Sequence, residues 1–395
     1  MMMKMKILRI IARLNIGGPA RNAVILSEGF PDTVLVCGEV DNSEGDMMYL
    51  AREKSIKPII VEELGRELSW KDDWAAFWKI YEIIRREKPD IIHTHTAKAG
   101  ALGRLAGMFY NLVNLAGCPV SQPARLTRCK LVHTFHGHVF SGYFGKFKTV
   151  FFIWIERFLG FFTDKIITVS ENLKRELVEK FKIASEEKIS VIELGFELEE
   201  LFKLAPKESA ETVNIGIVGR LVLIKNHKMI LDSVYMLKDS ICSNDIRVKL
   251  VIAGDGEMRS DLEKYAERLG ICDMVEFRGW VKDLKAIYEG LDIVALTSLN
   301  EGTPVSLIEA MASARPVVAT RVGGVPDIVQ DGKSGYLVGS GDKEGFSQKL
   351  MDLIKDSEKR RKFGEYGRNI VKNRFSKERL IKDAGRLYNG TLQKK

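Results

Sequence analysis

Glu301 and Glu309 stand eight positions apart in the stretch SLNEGTPVSLIEAM (298–311), with Gly302, Thr303 and Pro304 between them. A pair of carboxylates serves general acid–base chemistry, a metal ion or no chemistry at all. The Gly-Thr-Pro turn adds something else, because it exposes backbone at the start of a helix, where an anion is favoured. A second segment, GRLVLIKNH (219–227), sets Arg220 at the end of an apolar run and Lys225 five residues later, ahead of another helix. Two cations and a helix start suit a diphosphate. A single basic loop of this kind reads as solvated surface; two phosphate-friendly loops in one predicted sheet read as a site.

Histidines form a third constellation. HTHTAKAG (93–100) and HTFHGH (133–138) hold five of the six in the chain. Clustered imidazoles invite a metal site, but no carboxylate or cysteine accompanies them and H-E-x-x-H is missing. The better reading has the strand-end histidines hydrogen-bonding substrate hydroxyls or a phosphate, with His93 and His133, inside apolar strands, as structural residues. AGDGEMR (253–259) supplies Gly254 and Gly256 but lacks the third glycine of a dinucleotide fingerprint. No Walker A sequence occurs either, so a nicotinamide enzyme and a P-loop NTPase find little support. D-x-D, a usual carboxylate arrangement for holding a divalent ion on a sugar-nucleotide diphosphate, is also absent. A diphosphate bound here relies on Arg220 and Lys225, and no metal or other cofactor is expected.

These residues need elements to position them. Val/Ile-rich runs alternate with helical patterns throughout, the mark of α/β architecture with parallel sheets. Strands are predicted at 6–12, 33–37, 57–61, 90–94, 130–135, 165–170 and 189–193. A second set follows at 213–219, 248–254, 274–279, 292–297, 316–320 and 335–339, with helices at 257–269 and 305–313 among those between. ILRIIARLNIGGPARNAVIL and VNIGIVGRLVLIKNHKMILD open the two halves alike: an apolar strand, a loop with Gly and Arg, then a helix. The stretch 195–212 loses strand character and reads as a linker. The expected organisation is two Rossmann-like domains, 1–205 and 206–375, with a C-terminal helix (376–395) crossing back to the first. Ligands of open α/β sheets sit beyond the strands' carboxyl ends, so a cleft between the domains is the expected site.

Composition narrows the class. Hydrophobic content of 45% with 29% charged residues is that of a globular chain with a sizeable core. Five scattered cysteines without a C-x-x-C pair argue against a disulfide framework or a zinc ribbon and for a reducing cytosol. Arg9 and Arg13 interrupt the first apolar run and no small-residue cleavage site follows, so this run reads as a buried strand rather than a signal peptide. TVFFIWIERFLGFF (149–162) is too short for a membrane span and carries Glu156 and Arg157 in its middle. Net charge is +8, and residues 101–150 hold six Lys/Arg and no acid. Nucleic acid, anionic lipid, phosphorylated substrates or a plain solvated face all fit that region.

Taken in order, the GG pair at 17–18, HTHTAKAG, HTFHGHVF, GRL-x-x-x-KNH, AGDGE, V-x-F-x-G-x-V and E-x7-E followed by PVVATRVGGVPDIV resemble the retaining nucleotide-sugar glycosyltransferases of family 4, or group 1, with the GT-B fold. The histidine segments look especially like bacterial members that build surface polysaccharide or related glycans. The resemblance implies α/β GT-B architecture, a nucleoside-diphosphate sugar donor such as a UDP-sugar, and a carbohydrate, lipid-linked or small-molecule acceptor. It implies that Gly17 and Gly18 admit the donor's phosphate and sugar, and that His136 hydrogen-bonds the sugar. By the same resemblance Arg220 and Lys225 hold the leaving diphosphate, and Gly279, Trp280 and Val281 offer backbone to the base. Gly254 belongs to the donor site, Glu301 contacts the transferred sugar, Gly302 to Pro304 its hydroxyls and the phosphate, and Glu309 the ribose. One departure, the long segment 111–130, bears on the acceptor.

Rival readings stay on the table. A glycoside hydrolase places two carboxylates about 5–10 Å apart around one bond, which leaves the Arg/Lys pair unexplained. A GT-B-fold nucleotide-sugar epimerase would share the diphosphate site. A nucleic-acid-binding protein would use the basic region, with interleaved aromatics for stacking, though no nucleic-acid partner is expected. Peripheral contact of the basic region and the aromatic run 151–162 with anionic membrane is a further expectation.

Overall fold

The structure, a computed structural model, describes residues 5–15, 17–40, 46–65, 69–116, 128–137, 146–207, 212–242 and 246–393. The chain divides into two compact units, one of residues 1–196 with 377–395 and one of 197–376.

Unit 1 is built on seven parallel strands: β1 (Ile7–Arg13), β2 (Thr33–Gly38), β3 (Ile59–Ile60), β4 (Ile91–His95), β5 (Lys130–Phe135), β6 (Lys165–Thr168) and β7 (Ile189–Val191), in the order β3-β2-β1-β4-β5-β6-β7. Unit 2 has six: β8 (Thr212–Val218), β9 (Arg247–Ala253), β10 (Val275–Gly279), β11 (Ile293–Leu296), β12 (Val317–Thr320) and β13 (Gly335–Val338), in the order β10-β9-β8-β11-β12-β13. Every predicted apolar run is thus a strand. The run at 57–61 shrinks to two residues because β3 is an edge that meets only Val36 and Cys37 of β2, preceded by Pro58, which has no N–H to give a ladder. Each sheet reverses its strand order once, between β1 and β4 and between β8 and β11. A reversal separates neighbouring loops and leaves a crevice at the strands' carboxyl ends.

The central strands are buried on both faces, as parallel strands require: Ile7, Ile10, Ile11, Ile91 and Ile92 in unit 1 and Ile215, Leu250, Ile252, Ile293 and Val318 in unit 2 are all sealed from solvent. The helix Lys377–Gln393 lays Leu380, Ala384 and Tyr388, spaced four apart on one face, into a cluster with Ile25, Leu26 and Phe30 of unit 1. Gly29 admits it, since a Cβ there would stand 2.6 Å from Ile381 Cγ1.

The first boundary falls at 196/197, nine residues before the expected one. Residues 197–207 are held by unit 2: Arg315 Nη1 donates to the Ala205 carbonyl at 2.9 Å and Arg368 Nη2 to that of Leu204, while Leu201 and Leu204 are buried. Residues 208–211 of the predicted linker, and 117–127 of the long segment read as an insertion, lie outside the described residues.

Glu156, a charge within the aromatic run, has a clear partner. Its two oxygens accept from Arg104 Nη2 at 2.9 and 2.7 Å, joining the helix Lys146–Phe162 to the helix Ala97–Ala116, with Arg104 fully buried. Removing one member of a buried pair strands the other charge, which costs about 3–5 kcal/mol. Glu156→Ala is therefore expected to destabilise unit 1 by that amount, read as a lowered denaturation midpoint for unit 1's aromatic fluorescence. A loss under about 1 kcal/mol, the range of an exposed pair, contradicts it.

Candidate active site

In unit 2 the loop after β8 carries Gly219 and Arg220, then a 3-10 turn (Leu223–Lys225) and the helix His227–Cys242. Leu221, fully buried, ties this loop to the one after β9: its N–H donates to Asp255 O at 2.9 Å and its carbonyl accepts from Met258 N at 3.0 Å. Gly254, at φ +147°, comes so close that a Cβ would stand 1.9 Å from Gly219 O. Its N–H donates to Gly279 O at the end of β10, 2.8 Å away. Gly254 is thus required by the approach of three strand-end loops, a packing reason the sequence motif does not reveal. Beyond Gly279, Trp280 is exposed and Val281 half-buried.

The loop after β11 lies against the same turn. Thr297 Oγ1 donates to Lys225 O at 3.1 Å and Leu299 N to Ile224 O at 2.8 Å. Side chains follow the backbone: Lys225 Nζ pairs with Glu301 Oε1 at 2.5 Å, and the fully buried Ser298 donates to the same oxygen at 2.6 Å. Glu301's backbone is pinned from the loop after β12, where Gly324 N donates to its carbonyl at 3.0 Å. Gly323, at φ +48°, would bring a Cβ within 1.9 Å of that carbonyl. Arg220 is half-buried, and its guanidinium has no hydrogen-bond or ion-pair partner among the described residues.

Gly302 and Thr303 are half-buried and Pro304 buried at the start of the helix Val305–Ala312, whose first N–H groups no side chain caps. Glu309 does not join Glu301. It is 4% exposed, and its Oε2 accepts from the hydroxyl of the sealed Tyr288, on the helix after β10, at 2.9 Å. His227, just beyond Lys225, is neutral: burial, with Lys225 adding, pushes its pKa down to about 4.

Unit 1 places its own candidates at its own reversal point. Gly17 precedes the helix Gly18–Gly29, and a Cβ on Gly17 would meet only Pro19 Cδ at 3.6 Å. The histidines of β4 and β5 lie deeper than expected. His93 and His133 are structural: sealed, with His93 Nε2 2.7 Å from Thr134 Oγ1 and His133 Nδ1 2.8 Å from Thr94 Oγ1. His95, expected as a ligand contact, is sealed as well, because its ring is held between Arg9 and His136. His136 is half-buried as a residue, but its Nδ1 is fully enclosed and has no hydrogen-bond partner among the described residues, and burial pushes its pKa down to about 3. His138 lies outside the described residues. Among the described residues no group of His, Cys, Asp or Glu is arranged to hold a metal ion.

Three residues of these clusters carry no role in the sequence reading: Ser298, Tyr288 and Arg9. Arg9 left a signal, a charge inside a strand apolar on both sides. The other two left none.

Residues 200–370 match the family described as glycosyl transferases group 1, and residues 32–200 the family described as glycosyltransferase family 4. The chain belongs to the group 1 glycosyltransferases of the GT-B fold. Among similar proteins, the Escherichia coli UDP-Gal:alpha-D-GlcNAc-diphosphoundecaprenol alpha-1,3-galactosyltransferase is 27% identical over 77% of this chain and 76% of its own. The Staphylococcus aureus capsular polysaccharide biosynthesis glycosyltransferase CapM is 27% identical over 91% of this chain and 96% of its own. Anabaena HepE, solved in complex with UDP, shares the fold with a TM-score of 0.78 at 19% identity, over 98% of this chain and all of that one. Family membership selects glycosyl transfer from among the readings the sequence left open.

Proposed function

We propose that this glycosyltransferase moves a sugar, with retention of configuration, from a UDP-sugar to a glycan or lipid-linked acceptor in bacterial surface-polysaccharide or glycoconjugate synthesis. The observation that carries the reading is the charge arrangement at the reversal point of unit 2: an Arg220 without a partner among the described residues, beside a Lys225 held by Glu301 and next to a helix start that no side chain among them caps. Arg220 and Lys225 neutralise the leaving diphosphate without a metal, and the N–H groups after Pro304 add to them. Two similar proteins support the donor class: the E. coli relative is named for UDP-Gal, and HepE was also solved with UDP-glucose. Retention follows from attack on the face the phosphate leaves. The bond from the sugar to phosphate breaks, the acceptor oxygen bonds to the same carbon, and its proton passes to the departing phosphate oxygen. His136 holds the sugar by a hydrogen bond, Gly17 and Gly18 let it approach, and Glu309 serves the ribose.

The tests are turnover of a panel of UDP-, GDP- and ADP-sugars, with and without EDTA, and calorimetry with the free nucleotides. A UDP-sugar is expected to turn over undiminished in EDTA; activity lost to EDTA and restored by Mg²⁺ or Mn²⁺ sinks the metal-free reading. Lys225→Ala is expected to cost about 2–4 kcal/mol of transition-state stabilisation, the scale of one oriented donor to a developing anion. Glu301→Gln removes the counter-charge from Lys225 and is expected to lower kcat while free UDP binds at least as well. Glu309→Gln is expected to weaken UDP binding itself. If Glu301→Gln abolishes UDP binding and Glu309→Gln spares it, the assignment is wrong.

We further propose that unit 1 rests on anionic membrane. Helix Lys146–Phe162 presents Phe147, Phe151, Trp154, Phe158 and Phe161, spaced four and three apart along one face and between 55 and 95% exposed. Arg157 lies over the Trp154 ring and Lys188 over that of Phe161. Helix Trp70–Glu87, two helices along in the same layer, exposes Trp70 and Trp74. Apolar faces of this size rimmed by cations suit a headgroup interface, and no described helix is long and apolar enough to cross the bilayer. Flotation at low salt is expected to recover the protein with anionic vesicles and not with neutral ones, and Phe151→Ser/Phe158→Ser to abolish recovery. Equal behaviour with both vesicle types ends the proposal.

A further inference from the structure

Arg9 is fully buried in the middle of β1, and among the described residues no carboxylate pairs with it. Its partners are neutral. Nε donates to Ser27 Oγ at 3.2 Å and Nη2 to Leu26 O at 3.4 Å. Nη1 faces His93 Nδ1 at 2.6 Å, His95 Nε2 at 3.3 Å and the Tyr388 hydroxyl at 3.3 Å.

A guanidinium has five donors, no acceptor and no accessible neutral form. Both imidazole nitrogens facing it must therefore present lone pairs. A neutral imidazole carries its one proton on the opposite nitrogen, and burial keeps both rings neutral, with pKa values well below the usual histidine range. For His93 the proton sits on Nε2, where Thr134 Oγ1 accepts it at 2.7 Å. For His95 it sits on Nδ1, 3.0 Å from His136 Nε2. His136 Nε2 must then be the acceptor of that bond, which leaves the His136 proton on Nδ1. That atom is the enclosed one without a partner among the described residues.

We infer that Arg9 is a positioning residue for sugar transfer: as an obligate donor it orders the protons of His95 and His136, so that His136 offers an Nδ1–H to an accepting oxygen of the donor sugar. The inference rests on the proposed contact between His136 and that sugar. An enclosed N–H without a partner is costly, and an incoming oxygen recovers the loss. The ligand group taken here is one that accepts, such as a hydroxyl lone pair. Tyr388 adds the C-terminal helix to the device, since its hydroxyl lies 2.6 Å from the same His93 Nδ1.

The test is long-range ¹H–¹⁵N spectroscopy of the full chain labelled at histidine, which separates protonated from bare ring nitrogens. His136 signals are assigned by their loss in His136→Gln. Wild type at neutral pH is expected to show His136 protonated at Nδ1 and bare at Nε2. In Arg9→Met the obligate donor is gone, so the Nε2–H form of His136 is expected to appear. kcat/KM for the UDP-sugar is expected to fall on the order of tenfold, the worth of one hydrogen bond, with UDP affinity unchanged. A wild-type His136 protonated at Nε2, or an Arg9→Met protein with the wild-type proton pattern, overturns the inference. If Arg9→Met does not fold, the wild-type spectrum alone decides. Should His136→Gln turn over sugar at the wild-type rate while the proton order is as stated, the sugar contact is what fails and the ordering by Arg9 stands.

Discussion

A parallel strand covered on both faces offers a ligand no surface along its length, so contact with a ligand is confined to the carboxyl end and the loops beyond it. Both units obey this constraint. Their central strands are sealed, and each sheet reverses its order once, at β1/β4 and at β8/β11. The carboxyl ends of the strands at and beside those reversals carry Gly17, His95 and His136 in unit 1, and Arg220, Lys225 and Glu301 in unit 2. The glycines follow from the same constraint. Loops that converge on one crevice approach within van der Waals distance, and at Gly254 and Gly323 a side chain would collide with a neighbouring carbonyl.

At their candidate sites the two units hold a charge differently, although elsewhere unit 1 pairs Arg104 with Glu156 and unit 2 buries Arg315 against carbonyls. Unit 2 pairs charge with charge and leaves it partly wet: the side chains of Lys225 and Glu301 are 24% and 10% exposed. Unit 1 buries a lone guanidinium and spreads its field over neutral acceptors, namely two imidazoles, two hydroxyls and a carbonyl. Burying an ion is tolerated only when its hydrogen-bonding capacity is filled. Where the acceptor is an imidazole, which can hold its one proton on either nitrogen, filling it fixes which nitrogen is protonated.

Much of this was legible in the sequence, and what was not has identifiable causes. The strands announced themselves as Val/Ile runs because the sheets are buried on both faces, and only β3, an edge, fell well short of its run. Arg220, Lys225 and Glu301 were visible because they sit next to punctuation, a glycine after a strand or a Gly-Thr-Pro turn. Pairings across the fold were invisible: nothing at Tyr288 announces Glu309, and nothing at Arg104 announces Glu156, since these contacts join elements 21 and 52 residues apart. The boundary at 196/197 was missed because carbonyls hold it. Leu204 and Ala205 are fastened through backbone oxygens by Arg368 and Arg315, and a backbone oxygen has no sequence signature. His95 and His136 look equivalent in a motif, yet one is sealed and the other is not, because a side chain's depth depends on what stands beside its strand.

The pairing of Lys225 with Glu301 bears on catalysis in a way two free cations would not. On the proposed reading, a sugar nucleotide arrives already carrying charge on its diphosphate, and two uncompensated cations would bind that ground state tightly. Tight ground-state binding does not accelerate the step that follows; only interactions that strengthen in the transition state do. Glu301 holds Lys225 by a charge-assisted bond at 2.5 Å, so the lysine enters the reaction half-committed elsewhere. As the glycosidic bond breaks, negative charge grows on the departing phosphate and positive charge on the sugar carbon. Lys225 is then drawn toward the phosphate, and the carboxylate it releases faces the developing positive charge. One ion pair becomes two favourable contacts at the moment both are needed. On this reading Arg220, whose guanidinium has no hydrogen-bond or ion-pair partner among the described residues, supplies the constant attraction that brings the diphosphate to this place, while the Lys225–Glu301 pair supplies the part that changes along the reaction.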